Sequence, residues 1–147
     1  MSVKMIFKIN KHISYKYIPG QALVEIAILL PILLLLIIGA MDFGRLFITK
    51  IVLTNAAREG VNYLSTNPTD KAAGYSATIS LIQAEAQNQG ITIAAGDIIF
   101  SGCCSQGNAV EVKISKNAKL ALGNVLQRMG LTGGPIKITS AVQMVVQ

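Results

Sequence analysis

The chain has 147 residues, 52% of them hydrophobic and 14% charged, with a formal net charge of +6. That length holds one small domain and one membrane segment, and no more. The charge does not argue for nucleic acid: residues 1–20 carry four of the thirteen basic residues and no acid, and from Gln21 onward nine bases face seven acids, whereas a nucleic-acid binder keeps its basic patch in the folded domain.

The first nineteen residues are Lys-rich, with Lys4, Lys8, Lys11 and Lys16 and the chain's one histidine, His12. Beyond them no histidine is left for catalysis or metal ligation. Ala22 to Met41 is apolar except for Glu25. Twenty residues at about 1.5 Å each give about 30 Å, the thickness of a bilayer's hydrocarbon core. Lysines precede the run and Asp42 follows it, so the positive-inside rule puts the N-terminus in the cytoplasm and the remainder outside. A secretory signal peptide is the competing reading. The apolar run is too long for it, and Gly39-Ala40-Met41-Asp42 is a poor cleavage site. An uncleaved signal anchor stays open.

Glu25 does not suit a plain anchor, because a carboxylate inside a bilayer costs a few kcal/mol at the centre and less near the interface. Pro31, inside the run, removes one helical hydrogen bond and predicts a kink. That bend either serves extraction and packing of the helix or is a tolerated membrane proline. Ala40 and Gly44 form a small-xxx-small pair that permits close helix approach.

After Met41 the helical period continues with one polar face. Phe43, Leu46, Phe47, Leu53, Ala57, Val61 and Leu64 form an apolar stripe. Asp42 and Arg45 are three apart and suited to pair. Asn55, Arg58 and Glu59 lie off the stripe. Arg58 and Glu59 are read either as a solvated face or as a contact with another subunit. The result is one helix over residues 21–64, about 65 Å long. Thr66 to Asp70 is a turn around Pro68. Tyr75, Ile79, Ile82 and Ala86 predict a second helix from about Lys71 to Gln89, stopped by Gly90. Strands are expected at Ile91–Ile93, Ile98–Phe100, Val110–Ile114 and from Ile136 to Val146. A short helix or lid is expected between Asn117 and Met129, and a turn from Gly130 to Pro135. This is an α+β fold: a long helix packed on a small, mainly antiparallel sheet. About 83 residues follow Leu64, so the sheet needs that helix to cover its apolar face.

Cys103 and Cys104 are adjacent, not spaced as Cys-x-x-Cys, and no second pair or histidine completes a zinc site. Outside the cytoplasm they suit a vicinal disulfide or an intersubunit link; two free small residues are the bland reading. Gly130-Leu131-Thr132-Gly133-Gly134 lacks the Lys-Ser/Thr of a phosphate loop. The seven acids are scattered singly. Nothing here suggests catalysis, a metal or a cofactor.

Gly20-x-x-x-x-Glu25, after a basic leader and before a long apolar helix, resembles the processing site of type IV prepilins. Gly20-Gln21-Ala22-Leu23-Val24-Glu25, the Pro31-containing Leu/Ile run, Asp42-Phe43-Gly44-Arg45 and Thr54-Asn55-Ala56-Ala57-Arg58-Glu59-Gly60 together resemble the TadE-like family. These are pseudopilins of the tight-adherence (Flp) pilus secretion system. Ile26 departs from the pattern, since an aromatic is common there. The resemblance implies a minor pseudopilin, single-pass in the bacterial inner membrane with its C-terminal domain outside. It implies cleavage by prepilin peptidase between Gly20 and Gln21. Glu25 would offset the new amine of a neighbouring subunit. Pro31, Asp42, Arg45, Asn55, Arg58 and Glu59 would serve helix packing or partner contact. The partners implied are the peptidase, other pilin or pseudopilin subunits and the pilus assembly platform. The division expected is a leader (1–20), a transmembrane and spine helix (21–64) and a small extracytoplasmic domain (65–147). An uncleaved membrane-anchored adaptor is the alternative.

Overall fold

The computed structural model describes residues 20–102, 105–128, 130 and 134–147, and for Leu126 the backbone only. The basic leader, Cys103, Cys104, Met129 and residues 131–133 lie outside the described residues. Helix α1 spans Gln21–Thr66 with Pro31 inside it. Next come a 3-10 turn (Pro68–Lys71), α2 (Ser76–Asn88), a second 3-10 turn (Ala95–Asp97), β1 (Ile98–Ser101), β2 (Ala109–Ala118), α3 (Ala121–Arg128) and β3 (Ile136–Val145). The chain divides into two compact units, residues 1–34 and 35–147. The described part of the first is helix with an exposed apolar surface.

The second unit is an α+β domain. Its sheet has the order β1-β2-β3, antiparallel throughout. Alternation along β2 turns Val110, Val112 and Ile114 inward. Val112 pairs with Phe100 on one side and Val142 on the other; Ile114 pairs with Ile98 and Ser140. The C-terminal half of α1 covers this face. Val52, Leu53, Ala56, Ala57, Val61 and Leu64 are buried in one core cluster with Ile82 and Ala86 of α2 and the inward strand residues. Polar bonds fix the register of α1 against β3. Lys50 Nζ donates to the Thr139 carbonyl, Thr54 Oγ1 lies 2.8 Å from Ser140 Oγ, and the Gln147 N–H donates to the Ser65 carbonyl at 3.2 Å. Residue numbers rise together along both elements, so β3 runs beside α1 in the same direction.

Helix α1 passes the expected end at Leu64 by two residues. Asn67 precedes Pro68, which disfavours helical backbone, and the Asn67 side chain donates to the Tyr63 carbonyl at 3.1 Å. The expected second helix begins later than Lys71. Gly74 and Tyr75 both adopt positive φ (67° and 61°) and break the run, so α2 starts at Ser76. Its end follows expectation: Gly90 is left-handed, and the Ile91 N–H donates back to the Ala86 carbonyl at 2.9 Å, closing a Schellman turn. Ile91–Ile93 is not a strand. Side chains hold this segment instead, Gln83 Nε2 donating to the Ile93 carbonyl (2.9 Å) and Lys116 Nζ to that of Thr92.

Candidate functional site

The N-terminal motif opens directly on the helix. Gly20 is the turn residue before it, and the Val24 N–H donates to the Gly20 carbonyl at 3.3 Å. Gln21 is the first helical residue, and its Nε2 lies 3.5 Å from Glu25 Oε1, a weak one-turn bond. Glu25 is exposed and makes no other hydrogen bond among the described residues. It is the one acid on a surface of exposed Leu, Ile and Val from Leu23 to Ile37. Exposed apolar area on this scale marks a lipid or protein contact. Part of α1 is long and apolar enough to cross a membrane.

The exposed apolar surface continues past the run. Met41, Phe43, Phe47, Ile48 and Ile51 remain exposed, Phe43 at 71% and Phe47 at 60%. Asn55, Arg58 and Glu59 continue the face of Ile48 and Ile51 at spacings of three and four. All three are exposed and make no hydrogen bond or ion pair among the described residues. The Thr54–Gly60 motif therefore divides by side. Ala56, Ala57 and Gly60 are buried, while the charged pair faces out. Gly60 has a packing reason: a Cβ there would lie 2.5 Å from the Ile82 side chain. The small residues let α1 and α2 approach.

Asp42 feels the charge of Arg45, but its hydrogen bonds go elsewhere. It is 4% exposed, and its two oxygens accept the N–H groups of Ala121 (3.0 Å) and Leu122 (2.7 Å), the first residues of α3. Those donors have no partner within their own helix, and the end of α3 that carries them is partially positive. A second carboxylate does the same for α2. Asp70 accepts the Ala77 N–H (3.3 Å), the Thr78 N–H (2.9 Å) and the Thr78 hydroxyl. Sequence reasoning missed both caps, because neither sits at the N-cap position where such a residue is recognisable. Pro31 lies within α1, in the first unit, with its side chain exposed. Among the described residues no cluster of His, Cys, Asp and Glu could hold a metal.

Residues 20–62 match the family model described as TadE-like protein. Over that segment the chain is similar to the TadE-like family. The match begins at the Gly20 motif and ends four residues before α1 does. It thus covers Glu25, Pro31, Asp42, Arg45 and the Thr54–Gly60 motif, and leaves α2 and the sheet outside. No curated protein and no solved structure matches the chain. The apolar helix within the matched segment is a candidate membrane span.

Proposed function

We propose that this TadE-like chain is a minor pseudopilin with a structural, non-enzymatic role in assembly or secretion of Tad pili. It is anchored in the inner membrane by residues 22–41, N-terminus inward. Prepilin peptidase cuts between Gly20 and Gln21. The freed α-amine, ordinarily titrating near pH 8, then carries a positive charge at the N-terminus of α1, where the helix dipole is already positive. A carboxylate from an adjacent subunit relieves that repulsion, and in a lipid setting the attraction is weakly screened. Glu25 is that carboxylate. The face from Phe43 to Glu59 contacts the neighbouring pilin, pseudopilin or assembly platform.

One observation carries this reading. The helix begins at the residue after Gly20, with an exposed acid one turn on that has almost no bonding of its own. Intact mass spectrometry and N-terminal sequencing of the membrane-extracted protein test it. A chain beginning at Gln21 is expected, with Gly20→Ala uncut and Glu25→Ala cut but defective in pilus assembly. A native chain that keeps its first twenty residues, with Glu25→Ala piliated normally, refutes it. That outcome would favour an anchored adaptor whose outer domain does the work, a reading suited to a family match that stops short of that domain.

A further inference from the structure

Three observations within the second unit mark one end of its domain as the end nearest Asp42. Asp42, the first residue past the apolar run, bonds the start of α3 at 3.0 and 2.7 Å. The Lys50–Thr139 and Ser65–Gln147 bonds place the start of β3 nearer Asp42 than its finish. Pairing of Ala118 with Ile136 puts the end of β2 at that same edge. The eight residues of α3 extend about 12 Å, and its first two lie against Asp42. A headgroup layer is about 5–8 Å deep beyond the hydrocarbon core.

This end is both basic and apolar. On α3, Val125 is 37% exposed, Leu122 is half-buried and Arg128 is exposed. A hollow of about 280 Å³ beside α3 is lined by Lys119, Asn124, Gln127 and Pro135 among others. Exposed Lys137 follows on β3. From Val112 to Gln147 there are five basic residues and no acid. Besides Asp42, Asp97 stands at this end, sharing a separate hollow with Lys137.

We propose that α3 and the lysines beside it form a seat for anionic phospholipid at the membrane surface, held at headgroup level by Asp42. A short helix with an apolar flank and cationic neighbours suits that boundary. The seat rests on residues 22–41 spanning the bilayer.

The chain has no tryptophan, so a single introduced one reports without background. Full-length protein carrying Val125→Trp is placed in phosphatidylcholine vesicles, with and without phosphatidylglycerol, and quenched by brominated lipid. Val145→Trp, at a position 56% exposed near the far end of β3, is the water control, and Leu33→Trp reports the span. Val125→Trp is expected to be quenched where Val145→Trp is not. Removing the anionic lipid, or adding Asp42→Ala, is expected to cut that quenching by about twofold. Quenching at Leu33→Trp but not at Val125→Trp overturns the seat and leaves the span. Quenching at neither overturns both. Quenching at Val125→Trp unaffected by lipid charge and by Asp42→Ala also overturns the seat, since it marks nonspecific apolar contact.

Discussion

Asp70 is 9% exposed and accepts three hydrogen bonds at the start of α2. The Thr78 hydroxyl does most to hold its carboxyl below the ordinary carboxylate value, with the Thr78 and Ala77 N–H groups adding to it; partial burial works the other way. A folded-state value below the unfolded one, about 3.9, stabilises the fold at any pH above that unfolded value. The contribution disappears as pH falls through the lower folded value. Asp70→Asn is therefore expected to melt a few degrees lower at pH 7, the scale of a lost helix cap. It should also show a shallower loss of Tm as pH falls below about 4. Thermal melts of the detergent-solubilised protein across that range check both. A variant that keeps the parent's acid slope would show that Asp70 is not the linked group.

At the scale of elements, α1 meets α2 through Gly60. Replacing Gly by Ala in a helix interior ordinarily gains about 1 kcal/mol. Here the added Cβ would stand 2.5 Å from buried Ile82, and overpacking of a tight core costs about 1–3 kcal/mol. Gly60→Ala is expected to lower Tm, and Ile82→Val in the same chain to recover part of the loss. Additive losses in the double variant would count against this contact. The two helices and the short helix α3 were legible from spacing, as were the strands around Ile98, Val112 and Ile138, where alternation or β-branched runs mark one buried face. Ile91–Ile93 has the same composition but lacks a strand to pair with, and its carbonyls go to Gln83 and Lys116 instead. The Gly20–Glu25 motif could be read from the sequence because its parts are neighbours. The role of Asp42 could not, since its donors lie 79 and 80 residues away and Arg45 offers a plausible local partner.

For the molecule as a whole, the same helix serves two different environments. Up to Ile51 its exposed side is largely apolar, with Glu25, Arg45 and Lys50 the exposed charges, as a lipid or subunit contact requires. From Val52 its other side supplies six of the fifteen buried apolar residues that form the core among the described residues. Each such side chain contributes about 1.5–3 kcal/mol by burial for the larger ones, against a total domain stability of about 5–15 kcal/mol. The folded domain therefore begins not at the turn after Thr66 but inside α1. A fragment of residues 42–147 is expected to fold in mild detergent, which is needed to cover Phe43, Phe47, Ile48 and Ile51. A fragment of residues 67–147 is expected to stay unfolded, because the inner sheet face loses its cover. Circular dichroism with a cooperative thermal transition distinguishes the two. A cooperative melt from the shorter fragment would mean that the sheet and α2 close a core without α1, and that the helix is an anchor attached to an independent domain rather than part of it.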